Sequence, residues 1–153
     1  MLKKFLMVVV GAFALAALLS TPALAHHAFS AEFDANRPVK LQGAVTKLEL
    51  VNPHAWVHIE VAKADGPVPC VYTANAKCEA WMVEGGTPNT LQRRGITRDT
   101  IKVGTIIMVE GYQSKDGTMK ANGRNMIFPD GRTLFMGSSG TGAPNDGRDP
   151  GDK

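Results

Sequence analysis

The sequence has few of the residues that identify an enzyme or a nucleic-acid-binding protein. It contains two cysteines, its aromatic content is 7%, and its formal net charge is +3, which excludes the strongly basic surface of a nucleic-acid-binding domain. No pair of carboxylates has a spacing that identifies a general acid and base, and Ser138 and Ser139 lack the strand-turn-helix setting of a nucleophile elbow. Because no complete catalytic motif is present, the chain resembles a binding protein more than an enzyme.

After residue 25 the sequence also lacks an apolar run long enough for a transmembrane helix, which needs about 20 residues. The first 25 residues are typical of a Sec-type signal peptide, since two lysines precede the apolar residues 5–19 and Ala23 and Ala25 have the small side chains of a cleavage site. We therefore expect cleavage after Ala25, a mature chain that begins at His26, and a periplasmic or secreted location without a membrane span. Loss of the two lysines leaves the mature chain close to neutral.

The two cysteines, Cys70 and Cys78, are close in sequence. In an oxidising compartment such a pair is typical of a disulfide, and the alternatives are two free thiols or a contribution to a metal site. A bridge across so short a loop would stabilise the fold by about 2–3 kcal/mol at most. We therefore expect it to hold a local loop and not the whole domain.

Alternating apolar residues predict strands near residues 39–50, 54–61, 80–83, 105–112 and 118–128. The apolar phase slips between Val45 and Leu48, which predicts a bulge in the first strand. Thr87 as the amino-terminal cap, Pro88 in the first turn and Gly95 after the last turn predict a short helix between the third and fourth strands. This order predicts a mainly β fold, a small OB-like five-stranded barrel, with a small β-sandwich as the alternative.

The same patterns divide the chain into four segments. Residues 1–25 are the predicted signal peptide, and residues 26–38 are predicted to be an extended N-terminal arm anchored by Phe29 and Phe33. Residues 39–136 are the predicted OB-like domain, ending in a short edge piece near residues 134–136. Residues 137–153 are rich in Gly, Ser, Pro and Asp, which predicts a disordered tail.

Several short runs of residues form a recognisable set, namely His26-His27-Ala28-Phe29 with Glu32-Phe33-Asp34, Asn52-Pro53-His54, Glu84-Gly85-Gly86-Thr87-Pro88-Asn89, Arg93-Arg94-Gly95 and Val109-Glu110-Gly111-Tyr112. Together these runs resemble a family of small exported bacterial proteins of unknown function (domain of unknown function 6152). The resemblance implies an exported protein with a β-rich fold, and it brings no established activity. Relative to this family, the segment from Cys70 to Cys78 looks like an insertion.

The predicted mature terminus carries the clearest candidate site. A chain that begins with His26 offers an amine and an imidazole on one residue, and these two groups can chelate one metal ion. With a second imidazole, the three nitrogens would be similar to the histidine brace of certain copper oxygenases and copper carriers. Copper(II) is favoured because it heads the affinity series and prefers nitrogen ligands in a tetragonal plane. The amine must first lose its proton, so we expect copper affinity to fall at lower pH.

The second imidazole must come from one of the chain's three other histidines. His54 and His58 lie four residues apart on a predicted strand, a distance of about 13 Å, so only one of them can join the terminal ligand. We expect His54, because it follows Asn52-Pro53 at a strand end, and His58 and His27 are the alternatives. If the histidines are ordinary polar residues, no metal site exists.

The alternative function is a metal-free interaction module. Trp56 lies on the same strand face as the two strand histidines and could stack against a partner, and Arg93 and Arg94 form a second candidate surface at the helix end. The partner would be a periplasmic protein or a glycan. The copper hypothesis instead implies a role in metal handling or beside a copper-dependent system.

Overall fold

The computed structural model describes residues 28–62, 78–138 and 143–144. The mainly β class and the predicted helix between the third and fourth strands are confirmed. None of the helices within these ranges is long and apolar enough to cross a membrane. In chain order the described elements are α1 (Ala28–Glu32), β1 (Phe33–Leu50), β2 (Ala55–Ala62), β3 (Cys78–Glu84), α2 (Pro88–Arg93), β4 (Ile106–Ser114), β5 (Lys120–Ile127) and β6 (Thr133–Phe135).

The strands form one sheet in the order β3-β2-β1-β4-β5-β6, and an additional β3–β5 pairing closes the first five strands into a ring. The β3–β5 pairing is parallel, whereas the other pairings among the described strands are antiparallel. β6 pairs only with β5 among the described strands, so it adds the short edge piece that the sequence predicts. The closed ring leaves one side of each strand facing a common interior.

β1 is longer than predicted and pairs with β2 on one side and β4 on the other. Its register against β2 shifts between Val45 and Lys47, which confirms the predicted bulge. At Gly43 the β1 and β2 backbones approach closely, because a Cβ atom on it would be 2.2 Å from the carbonyl oxygen of Glu60. Only glycine fits this approach without a shift of the β2 backbone.

The described part of the predicted arm is not fully extended, since α1 occupies residues 28–32 and β1 begins at Phe33. The helical turn brings the Phe29 and Phe33 rings to 5.9 Å between centroids, and Phe29 meets Tyr112 edge-on at 5.5 Å. Both phenylalanines are buried in a cluster with Ala143. Packing of these rings explains why the arm turns here. The cluster also includes a residue of the predicted tail, Ala143, although most of that tail lies outside the described residues.

α2 confirms the predicted start and stop signals. The side chain of Thr87 accepts a hydrogen bond from the backbone N–H of Thr90, and Pro88 is the first helical residue. Gly95 has a φ of 88° just after the carboxyl end, a conformation that glycine adopts without the steric cost of a Cβ atom. The helix is therefore fixed at both ends by its local sequence.

The main core lies inside the ring. Along β2 and β4 the buried and half-buried residues alternate, as expected for strands with one face inward. α2 contributes Leu91, and the segment after β6 contributes Met136. The fully buried apolar residues on the strands include Val45, Val57, Ile59, Val83, Ile107, Val109, Ala121 and Met126.

Candidate metal site

Four residues outside the core form what we call the His54 cluster, namely His54, Trp56, Glu84 and Asn122. Trp56 on β2 pairs in register with Glu84 on β3, and Glu84 pairs with Asn122 on β5. Side chains of register partners lie on the same face of a sheet, so these three project together. His54 lies just before β2, where the chain leaves the Asn52-Pro53 turn.

The cluster is organised around a hydrogen bond from His54 to a buried carboxylate. His54 Nδ1 lies 2.6 Å from Glu84 Oε1, and the two side chains are 35% and 8% exposed. Burial raises the pKa of Glu84, and the charge of the nearby His54 opposes this shift. When Nδ1–H donates to the carboxylate, the lone pair of Nε2 stays available. This is the arrangement of metal-binding histidines, which donate their other ring N–H to a carboxylate or carbonyl.

The N-terminal arm is fastened beside this cluster. Lys120 Nζ donates to Glu32 Oε1 on α1, and the same ammonium lies 4.9 Å from the centre of the Trp56 ring. Lys115 Nζ also donates to the carbonyl oxygen of Ser30, at 2.5 Å. The charge of Glu32 contributes to the raised pKa of Glu84. The structure thus brings α1 close to the predicted ligand His54.

His26 and His27 lie outside the described residues, directly before α1 in the sequence. No group of three or more His, Cys, Asp or Glu side chains within residues 28–62, 78–138 and 143–144 is arranged to hold a metal. A metal bound by His54 would therefore need a ligand that the structure does not describe. Cys70 also lies outside these ranges and Cys78 begins β3, so the Cys70–Cys78 bridge stays a prediction.

His58 belongs to a different set of contacts. Its Nε2 lies 3.2 Å from Glu49 Oε2, and Glu49 also pairs with Lys47. The hydrogen bonds from Lys47 and then from His58 lower the pKa of Glu49. The two strand histidines thus contact different carboxylates, in keeping with their separation along the strand.

The arginines of the predicted partner surface differ in their surroundings. Arg94 Nη1 donates to the carbonyl oxygen of Gly137 at 2.8 Å, and its guanidinium lies 4.8 Å from the Phe135 ring centre. Arg94 therefore fastens the segment that follows β6. Arg93 is exposed, and Trp56 is half-buried.

Sequence reasoning missed the residues around His54. Glu84 is one of several carboxylates without an informative spacing, and Asn122 and Lys120 lie in the fifth strand, far from His54 in sequence. Glu84 comes close to His54 through the β2–β3 pairing, and Asn122 comes close to Glu84 through the β3–β5 pairing that closes the ring. The one local signal is the polar Lys120, Asn122 and Arg124 alternating with small residues in β5, which is unusual for a strand inside a small domain.

The fold and the cluster define a small mainly β protein in which a half-exposed histidine contacts a buried carboxylate beside the N-terminal arm. Residues 14–124 match a family described as Family of unknown function (DUF6152). The match covers most of the chain and all four residues of the His54 cluster, so the chain belongs to this family. No curated protein and no solved structure matches the chain.

Proposed function

We propose that this protein is an exported copper-binding protein that holds Cu(II) through the amine and imidazole of His26 and through Nε2 of His54. Its role is metal handling, or assistance to a copper-dependent system, and it performs no catalysis of its own. The observation that supports this most directly is the 2.6 Å contact between His54 Nδ1 and Glu84 Oε1. That contact would orient the imidazole and, when Nδ1 carries the proton, leave the lone pair of Nε2 available to a metal.

Copper(II) fits the proposed ligands better than other common metals. Three nitrogen donors in one plane suit its tetragonal preference, and imidazole and amine nitrogens are ligands of intermediate softness. Glu84 would act on the metal through His54, since hydrogen bonding to a carboxylate raises the basicity of an imidazole. His27 and His58 are alternative ligands.

The docking of α1 supports the pairing of a terminal ligand with His54. Lys120 joins Glu32 to the cluster, and His26 precedes Glu32 by six positions. Six residues span at most about 22 Å. The terminal amine would thus stay within reach of the cluster, which lowers the entropy lost when it joins the metal.

Export is part of the proposal, because cleavage after Ala25 creates the chelating amine of His26. The sequence features that support it are the two lysines, the apolar residues 5–19 and the small residues at the cleavage site. A periplasmic or secreted location also favours the Cys70–Cys78 disulfide. We further propose that the closed ring is OB-like, with β6 as an added edge strand.

Copper titration of two histidine variants tests which strand residue binds the metal. The mature protein beginning at His26 should bind one Cu(II). His54→Ala should weaken that binding by at least about 100-fold, because a directly bound ligand should matter more than the outer partners, whose loss costs 10- to 100-fold. His58→Ala is the matched control and should bind as the parent does. Equal affinities for the parent and His54→Ala would contradict the proposal.

A metal-free interaction module is the second candidate. It is favoured by the half-exposed Trp56 and by Met82, which is 40% exposed on the neighbouring strand. The pair offers an aromatic and apolar surface for a periplasmic protein or a glycan. Affinity purification from the exported fraction tests it, since a partner retained after chelation and by His54→Ala would favour this module over the copper protein.

A further inference from the structure

Two exposed methionines adjoin each other where the ring of strands closes. Among the described residues four large apolar side chains are exposed, and Met82 and Met119, at 40% and 41%, are two of them. The backbone N–H of Met82 donates to the carbonyl oxygen of Met119 at 3.0 Å. The two side chains thus reach solvent from neighbouring segments of the chain.

These methionines lie at the shortest pairing of the ring. β3 and β5 pair over three register positions, from Met82 with Lys120 to Glu84 with Asn122, whereas the other pairings among the first five strands extend over six or more. Met82 begins this pairing and Met119 directly precedes it, so we call residues 82–84 and 119–122 the seam. A chemical change at either methionine therefore acts on the part of the ring with the fewest pairs.

The other methionines within the described residues are better protected. Met126 and Met136 are fully buried in the main core, and Met108 is half-buried on β4. An oxidant must contact the thioether sulfur to react with it, so susceptibility follows exposure. The fold thus separates an exposed pair at the seam from a protected set elsewhere.

We propose that Met82 and Met119 are sites of reversible oxidation, and that their oxidation weakens the closure of the ring. Hydrogen peroxide transfers one oxygen atom to each thioether. The S–O bond forms as the O–O bond breaks, the sulfur loses two electrons, and the rest of the peroxide leaves as water. The product is methionine sulfoxide, which methionine sulfoxide reductases convert back to methionine. This reaction requires no bound metal, so it is independent of the proposed copper function.

The sulfoxide should weaken the seam because it is polar. Each of the two methionines still buries more than half of its surface, and a polar group that is buried without a hydrogen bond costs free energy. Lys120, the register partner of Met82, already donates to Glu32 and faces the Trp56 ring. The oxidised side chains should therefore turn toward solvent and lose their packing at the seam.

Graded peroxide treatment of the mature protein, followed by peptide mass mapping, tests the sites. Sulfoxide should form first at Met82 and Met119, and Met126 and Met136 should stay unoxidised over the same interval. Oxidation of the pair should lower the melting temperature by a few degrees. The amide of Met82 should then exchange its hydrogen faster, while that of Ile107 on β4 should not change. After the reductase has removed both oxygens, the parental values should return.

Leucine substitutions identify the residues responsible. The double variant Met82→Leu with Met119→Leu keeps a similar apolar volume and lacks both sulfurs, so its melting temperature should not respond to peroxide. Met108→Leu is the matched control, since it removes a methionine outside the seam, and it should respond as the parent does.

Three results would overturn the inference. The first is oxidation of buried Met126 as fast as that of Met82. The second is a fully oxidised pair with an unchanged melting temperature and unchanged amide exchange. The third is a peroxide response in the double variant equal to that of the parent.

Discussion

Replacing Glu84 by glutamine should weaken copper binding without unfolding the protein. The substitution keeps the size of the side chain and an oxygen that can accept from His54 Nδ1–H, and it removes the buried charge. Hydrogen bonds to charged groups contribute about 1.5–3 kcal/mol and neutral ones about 0.5–1.5 kcal/mol, so the bond to His54 should lose about 1 kcal/mol. The protein no longer buries a carboxylate, which offsets this loss.

The net change in the free energy of unfolding at neutral pH should therefore be within about 1 kcal/mol. Copper affinity should fall about 10- to 100-fold, because the imidazole loses its charged partner. Isothermal titration with a competing chelator measures the affinity, and urea unfolding of the metal-free protein measures the stability. Glu49→Gln, the equivalent change beside His58, is the matched control and should leave the affinity unchanged.

The pH dependence of stability provides a second readout of the same variant. Burial raises the pKa of Glu84 above 4.5 in the folded protein, so the folded state holds this proton more tightly than the unfolded state. The resulting contribution to stability is complete below pH 4.5 and is lost as the pH rises through the folded pKa. Glu84→Gln should remove this decline.

Equal losses of copper affinity in Glu84→Gln and Glu49→Gln, or parental copper affinity in both, would refute the assignment of Glu84 as the support of the metal ligand.

Three further predictions concern the fold that carries the site. Gly43→Ala should destabilise the protein by about 3 kcal/mol in urea unfolding, because its Cβ would lie 2.2 Å from a backbone oxygen of β2; an unchanged midpoint would contradict the close approach. Hydrogen bonds from Ser114 and then Thr118 lower the pKa of Asp116 to about 2. The contribution of Asp116 to the free energy of unfolding should therefore be present above pH 3.8 and be lost as the pH falls through about 2. Asp116→Asn should remove this acid-induced loss of stability. Phe29→Ala should cost about 3 kcal/mol and expose α1 to proteolysis, and a cleavage pattern like that of the parent would show that Phe29 does not anchor α1.

Local signals in the sequence predicted the elements of the fold well. The caps of α2 depend on Thr87, Pro88 and Gly95, which act within a few residues of one another. The bulge of β1 follows from a slip in the apolar alternation. A strand with one buried face must keep its apolar residues on that face, so a change of phase requires an extra residue in the strand. The arm differed, because burial of Phe29 and Phe33 together favours a helical turn over an extended segment, and β1 begins at Phe33 instead of near residue 39.

The contacts of the candidate ligand could not be predicted, for a physical reason. The preference for His54 over His58 rests on strand spacing and a turn, which are local properties, and it stays a prediction. The residues around His54 depend on which strands become neighbours. Glu84 meets Asn122 only because β3 and β5 pair in parallel, and no short sequence pattern specifies that closure.

The central claim is that the amine of the mature terminus and His54 bind the same copper ion. The most direct measurement compares the Cu(II) affinity of the mature protein beginning at His26 with that of a version carrying one extra residue in front. The extra residue takes the amine away from His26, so the affinity should fall by about 100-fold or more, a loss larger than that of an outer partner. Equal affinity in the two proteins would contradict the account.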